Sequence, residues 1–467
     1  MHSSHPVPAS PIEPVLRDSK PVDLSPATGR RMGHATFLRF LLDTMGTIER
    51  LAATNPSVVS YRAAGQGLHL AFAPNVLRQV FVDHPDRYEK LYNQLAGTTG
   101  HSSLLLSGEA WRKRRDRNWP LFRGSVLSDR LAEEQANIWS YVANEGPKAG
   151  QTADVPIFDV TSDITFAMAG RLFCGTDLVP SPQAVRNSVY TLAEVDQWTL
   201  GAVFPPWRWI LMALTPGYSK ARSHWLDSRA RIAASGNADA ETPAIQHIWR
   251  KAMRDKPDSE INEQALDDEV ATMIVAGSHT TAASFAFTLH LLAHHPEWKQ
   301  RVEEEALSAW KEGAETGPID FDAMPITRAV LQEALRIYPP VWVVSRRALS
   351  AHTLDGVEVR KGDVVVVPLF AIHRSPHLWD EPERFNPERF LGKTSYGYRY
   401  LPFGAGPRMC IGSRIALQEQ TALISAFLAQ YKVDPLPGTE PLTTPELLPG
   451  VAIWTRKPHQ LRLTQRI

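Results

Sequence analysis

The sequence predicts a mainly α-helical domain with small β-sheets. Three observations lead there. Helical spacing of apolar residues dominates from the end of a first β unit, near Pro74, to about residue 340. Within it, Val270 to Pro296 runs without one Asp, Glu, Lys or Arg. Only short segments, near residues 58–74 and 353–367, carry strand patterns. Of 467 residues, 43% are apolar and 21% charged, which excludes a disordered chain, a collagen and a coiled coil. Lys+Arg and Asp+Glu each count 50, so nucleic acid is not an expected partner. Two cysteines, Cys174 and Cys410, exclude a disulfide scaffold and suggest a reducing, cytoplasmic setting for a soluble protein.

The elements follow in order. Residues 1–30 are rich in Pro and Ser and have no apolar core of the kind a signal peptide needs, so they read as an N-terminal arm. Residues 31–467 show no repeat and no linker, and read as one domain. Ala35 to Ala53 has helical spacing. Val58–Ala64 and Leu68–Pro74 flank Gly65-Gln66-Gly67 and predict a β-hairpin. Pro205-Pro206, Pro216-Gly217 and Ser235–Thr242 break the helical region into pieces. The charge-free stretch has membrane-spanning length. It also carries Thr272, Ser278, His279, Thr280, Thr281, Ser284, Thr288, His290, His294 and His295, which a lipid-facing helix does not tolerate without partners. The prediction is a long buried helix and no membrane span. Leu354 to Val367 forms a second β unit, a Pro-rich loop runs to Pro407, a helix covers about 411–431, and short strands close the chain near 451–463.

Phe403-Gly404-Ala405-Gly406-Pro407-Arg408-Met409-Cys410-Ile411-Gly412 carries the strongest chemical signal. A lone cysteine is ordinarily a small inert hydrophobe. Cys410, however, sits between glycines at the start of a helix, where unpaired N–H groups and the dipole favour a thiolate and lower its pKa. Arg408 adds positive charge, and no second cysteine is near enough for a zinc knuckle or a redox dithiol. A single thiolate with room for a flat partner suits axial ligation of haem iron.

These residues complete the pattern F-x-x-G-x-R-x-C-x-G, and the chain resembles the cytochrome P-450 superfamily. The resemblance implies the fold of that family, a triangular helical prism with haem b between the long oxygen-binding helix and the cysteine-loop helix. It implies Cys410 as the iron ligand, Phe403 and Gly404 beside the haem, and Arg408 on a propionate. Trp111 and Arg115 match the family's W-x-x-x-R, whose members contact propionates; read alone they are a solvated helix face. Arg346 is a further propionate candidate, with Arg347 adjacent. Glu333 and Arg336 match E-x-x-R, and Arg389 in Pro387-Glu388-Arg389-Phe390 is preferred over Arg384 as the third member of a structural triad. Alone, such a pair is a surface ion pair worth little.

Ala276-Gly277-Ser278-His279-Thr280-Thr281 matches the family's oxygen-binding segment, A/G-G-x-D/E-T-T/S, and makes Ala276, Gly277, His279 and Thr280 candidate catalytic residues. Gly277 suggests a local opening of the helix. By resemblance Thr280 steers protons toward dioxygen. Read alone, its hydroxyl bonds back to the preceding turn. His279 stands where the family carries an acid, and imidazole can relay protons near neutral pH.

The implied activity is monooxygenation: one atom of O2 enters an apolar substrate by hydroxylation or epoxidation and the other leaves as water. Expected cavity segments are Tyr92–Leu106, Val195–Met212 with Trp198, Trp207 and Trp209, the helix near Val275–Thr280, Val341–Val344 with Trp342, and the turn near Val451–Ile453. They are mostly apolar, which favours a terpenoid, polyketide or fatty-acid-like substrate of secondary metabolism over a sugar or nucleotide. No flavin or iron–sulfur segment is read, so electrons are expected from a separate ferredoxin- or flavodoxin-type donor with its reductase. Arg112, Lys113, Arg114, Arg115 and Arg117 form a basic patch suited to one, although a solvated helix face reads the same way. Two rivals remain. One keeps the fold for peroxide-driven oxidation, desaturation or oxidative coupling, and the Arg-Pro pair of peroxide users is absent. The other is a non-catalytic haem sensor or electron carrier.

Overall fold

The structure, a computed structural model, describes residues 30–466 apart from 64, 92–94, 179, 202–212, 236–243, 256–259 and 393–394; of 194–201 it describes only the helical backbone. The arm at 1–29 and the break at Pro205-Pro206 lie outside the described residues, and Arg30 already belongs to a sheet.

Two helices open the chain, α1 (His34–Leu42) and α2 (Thr44–Ala52). One helix was expected over Ala35–Ala53. Asp43 divides it: its carboxylate accepts the N–H of Gly46 and caps α2, drawing the backbone out of helical geometry at that residue. The helices that follow are α3 (Gly108–Phe122), α4 (Val126–Glu133), α5 (Gln135–Glu145), α6 (Ile157–Ala169), α7 (Pro182–Gly201), α8 (Tyr218–Ala234) and α9 (Ile245–Asp255). Next come α10 (Glu263–His294), α11 (Pro296–Thr316), α12 (Pro325–Ile337) and α13 (Ser413–Gln430). Helix α10 is long and apolar enough to cross a membrane, yet 78% of its most apolar window is buried inside the protein. It packs against α6, α8, α12 and α13 and forms the axis of the larger hydrophobic core.

The strands are β1 (Arg30–Arg31), β2 (Val58–Ala63), β3 (Gln66–Ala71), β4 (Tyr88–Lys90), β5 (Thr152–Pro156), β6 (Val344–Ala348), β7 (His352–Leu354), β8 (Val357–Val359) and β9 (Val364–Val367). The last four are β10 (Tyr431–Pro435), β11 (Leu447–Pro449), β12 (Ile453–Thr455) and β13 (Gln460–Gln465). The main sheet has the order β1-β2-β3-β9-β6-β4 and covers a second core. The β2–β3 hairpin is tighter than its glycines suggested, with Ala63 already opposite Gln66. The 353–367 unit divides in two. Asp355 and Gly356 both adopt positive φ, the backbone of a two-residue hairpin, and join β7 to β8. β9 leaves them to pair with β3 and β6 in the main sheet. β4 and β6 pair antiparallel with Lys90 opposite Arg346.

Candidate functional site

The segment from Phe403 to Gly412 passes beneath the turn Gln79–Asp83 and leads into α13. Its closeness to that turn requires glycine at 406. The residue has φ +68°, and an added Cβ would lie 1.9 Å from the carbonyl oxygen of Phe81. The N–H of Cys410 donates to the Phe403 carbonyl at 2.9 Å and closes the loop. The thiol opens onto an internal cavity of about 360 Å³, far below the outer surface.

Burial pushes the Cys410 thiol up, against the Gly412 N–H, Arg115 and Lys90, which draw it down. The expectation that the helix start lowers its pKa is therefore not met in the bare protein. Loss of water outweighs the dipole, and the charge of a bound metal is what makes a coordinating thiol ionise. Cys174 is fully buried with its thiol pushed up to about 12, the inert kind of cysteine.

One wall of the cavity is a cluster of cations. Arg408 lies over the Trp111 ring, 3.9 Å from its centroid, and Arg115 reaches the same ring at 5.8 Å. Arg408 Nη2 donates to the Leu106 carbonyl, while its Nη1 is buried without a partner among the described residues. Strand alternation separates Arg346 from Arg347, and only Arg346 faces the cavity. Arg346 points inward over Phe81, and Arg347 turns out to Glu89 at 3.4 Å. Sequence reasoning missed Lys90, which faces this cluster from β4. Burial, then Arg346, Arg408 and Arg115, hold its pKa well below the usual lysine value. Arg408 is likewise drawn down to about 9 by burial, Arg346, Arg115 and Arg112. Like charges opposite each other in a ladder destabilise it. Lys90, Arg346, Arg408 and Arg115 thus gather basic groups on one cavity wall.

The opposite wall is α10. Ala276, Gly277, His279, Thr280, Thr281 and Ser284 line the cavity, and the Thr280 hydroxyl donates to the Ala276 carbonyl at 2.8 Å. The local opening expected at Gly277 is absent, because α10 stays helical throughout. The glycine instead makes room for a ring: a Cβ there would lie 2.4 Å from Phe173 Cε2. His279 is buried and turned toward Trp454 and Tyr190. Phe403, Gly404, Leu104, Val341–Val344 and Val451 also line it, with Glu419 at the α13 side. Burial raises the Glu419 carboxyl to about 8, so it is protonated at neutral pH. The segment Val195–Met212, with Trp198, Trp207 and Trp209, falls outside the described side chains.

Behind the cysteine loop, Glu333 and Arg336 form a fully buried bidentate pair, with contacts of 2.7 and 2.9 Å. Arg389 Nε lies 3.4 Å from Glu333 Oε1, whereas Arg384 pairs with Glu381 at the surface. Arg336 also donates to the carbonyls of His373, Pro382 and Arg384, tying the loop-rich segment to α12. The basic patch expected at 112–117 is divided. Arg114 turns inward to Glu269 at 3.4 Å, Arg115 faces the cavity and Lys113 reaches Glu260 at 3.2 Å, because one helix turn spreads consecutive residues over every face.

These residues fit haem b: a sulfur donor at the cavity floor, a helix wall across from it, and cations placed for two propionates. Fold and site together define a haem protein with thiolate chemistry. A profile of the cytochrome P450 family matches residues 29–463, and the chain belongs to that family, an oxidoreductase of the monooxygenase kind with haem b as cofactor. Similar proteins include the cyclooctat-9-en-7-ol 5-monooxygenase of Streptomyces melanosporofaciens, 27% identical over 92% of this chain and 94% of the relative. Cytochrome P450 4A12 of Rattus norvegicus is 26% identical over 81% of this chain and 78% of its own. The crystal structure of CYP175A1 from Thermus thermophillus superposes with a TM-score of 0.74 at 20% identity, covering 94% of this chain and 100% of that one.

Proposed function

We propose that Cys410 is the thiolate ligand of the haem iron and that Trp111, Arg115, Arg346, Arg408 and Lys90 hold the propionates. Thr280 is proposed to place protons on the oxygen side. The substrate is an apolar small molecule, terpenoid, polyketide or fatty-acid-like, that is hydroxylated or epoxidised. The observation that carries this reading is the convergence on one cavity of the sulfur, the cation cluster and the Ala276–Thr280 face of α10. When bound, the haem supplies reductive activation of O2, and a thiolate ligand favours O–O cleavage. This chain's part is to keep the cavity dry and to orient substrate. Its lining is mostly carbon, from Leu104, Val275, Ala276, Val341, Trp342 and Val451, which suits an apolar skeleton. One relative is named for 5-monooxygenation of cyclooctat-9-en-7-ol, which supports a small-molecule alcohol or hydrocarbon skeleton as substrate.

Electrons come from a separate ferredoxin- or flavodoxin-type donor with its reductase. Arg112, exposed and close enough to Arg408 to lower its pKa, is the proposed point of approach. The test is a panel of terpenoids, macrolides and fatty acids scored by the spin-state shift of the haem. Binders are then turned over with isotopically labelled O2, NAD(P)H and surrogate donors. One labelled oxygen per product supports the reading. Turnover with peroxide alone and none with O2 and reductant refutes it.

A further inference from the structure

His279 sits in an aromatic box. Its ring stacks on Trp454 with centroids 5.2 Å apart and planes 20° apart, and Tyr190 meets it edge-on at 5.0 Å. Tyr190 and Trp454 touch in turn at 5.7 Å, and Phe158 closes on Trp454 at 4.7 Å. The Tyr190 hydroxyl is fixed by Ser162 at 2.7 Å. The box thereby joins α10, β12, α7 and α6. Among the described residues the His279 ring makes no hydrogen bond, and burial pushes the imidazole down to about 4. A carboxylate here would be a buried charge facing aromatic carbon.

The position of Trp454 gives the box its consequence. β11 and β12 form a hairpin, and Gly450 and Val451 in its turn line the cavity. Two bonds tie this hairpin to the wall at Pro340–Val344. Trp342 Nε1 donates to the Gly450 carbonyl at 2.9 Å, and the N–H of Ile453 donates to the Pro340 carbonyl at 2.9 Å. Neither bond reaches α10. The flanks of the hairpin do, since the Leu442 N–H donates to His290 Nε2 at 3.2 Å and His459 lies 2.9 Å from His290 Nδ1. The His279–Trp454 stack adds a contact about three turns away, one residue before Thr280.

We infer that His279 is a positioning residue. Its stacked ring locks the C-terminal hairpin onto α10, fixing the Val451 wall relative to Thr280, and it relays no proton. This rests on the monooxygenase reading above and adds a determinant of how substrate sits in that site.

The test uses holoenzyme carrying His279→Phe, His279→Asp, Trp454→Ala, or the last two combined. The probe is a phenyl-substituted imidazole, whose nitrogen binds haem iron and whose phenyl ring enters the cavity. His279→Phe keeps the stack and holds affinity within about twofold, while His279→Asp and Trp454→Ala each weaken binding about tenfold and the double variant no further. Three results overturn the inference. His279→Phe weakens binding as much as His279→Asp. The double variant shows additive losses. Or His279→Phe leaves binding alone but shifts the pH profile of peroxide release during reductant-driven turnover, the signature of a relay. Failure of the underlying reading is distinct, since wild-type protein would then lack the red-shifted Soret band of the reduced carbon monoxide complex. The melting temperatures of the same proteins then decide the stack: non-additive losses support it and additive losses overturn it.

Discussion

Gly406→Ala isolates how strictly the cysteine loop is placed. Two penalties act together. An L-residue at φ +68° costs about 1–2 kcal/mol in backbone strain. The new Cβ also meets the Phe81 carbonyl at 1.9 Å, where the usual separation is about 3.5 Å, so roughly 1.5 Å of movement must be found. A backbone carbonyl cannot rotate away as a side chain does, so the loop itself shifts, and Cys410 lies four residues downstream. Gly438→Ala is the internal control. It lies away from the cavity and has φ +74° but nothing within 4 Å of its Cβ, so it bears the strain without the collision. The assay is haem content per polypeptide together with the reduced carbon monoxide spectrum. Gly438→Ala should retain most of its haem. Gly406→Ala should lose most of it, or convert to the unshifted Soret form, since a misplacement of about 1 Å suffices for a loss on the order of 10²-fold in a positioned group. If the two variants are indistinguishable, the contact with Phe81 does not set the loop.

Other outcomes follow from the same structure. Lys90→Met should stabilise the apoprotein, because it relieves repulsion from Arg346, Arg408 and Arg115, yet, on the proposed role of Lys90 at a propionate, weaken haem binding about tenfold; apo melting and haem transfer to apomyoglobin measure both. Folding stability should peak near pH 6.5. His290 and His373 each accept a backbone N–H through Nε2, from Leu442 and Leu401, so charging them removes an acceptor. Their folded pKa values lie below 6.5, at about 3 for His373, so their contribution is complete above pH 6.5 and is lost as pH falls, at about 1.4 kcal/mol per unit for each group. Glu419 acts in the opposite sense. Because its pKa is raised from 4.5 to about 8, its contribution is lost as pH rises through that window, so it opposes the histidine gain on the acid side and tilts the profile downward above pH 6.5. Denaturant titrations across pH measure this, and Glu419→Gln should flatten the alkaline limb; a profile rising steadily to pH 8 would refute it. Thr280→Ala should cut product per electron pair about a hundredfold, the lower bound for a positioned proton donor, with the difference appearing as hydrogen peroxide. An unchanged coupling ratio would remove Thr280 from proton placement.

What could be read from the chain alone was whatever short-range order encodes. The Phe403–Gly412 pattern, the i,i+3 pair Glu333–Arg336 and the uncharged run in α10 each sit within one element, and the structure shows each where its spacing placed it. Side-chain direction and long-range pairing were not legible. Nothing in the sequence around Lys90 marks it; only the pairing of β4 with β6 sets it against Arg346. Arg114 and Arg115 read as one basic face with their neighbours, but Glu269 and the cavity claim them separately. Gly277 pointed to a helix opening because its reason, the ring of Phe173, is about a hundred residues away in sequence. The thiol of Cys410 was misjudged for a similar reason, since the helix start is visible in sequence while the depth of burial that opposes it is not.

The central claim is that the Cys410 sulfur is bonded to the haem iron. Purified wild-type protein, reduced and exposed to carbon monoxide, should show the red-shifted Soret band of thiolate ligation. Cys410→Ser should bind haem without that band, and Cys174→Ser should retain it. Survival of the band in Cys410→Ser, or wild-type protein that stays colourless when offered haemin, would contradict the account.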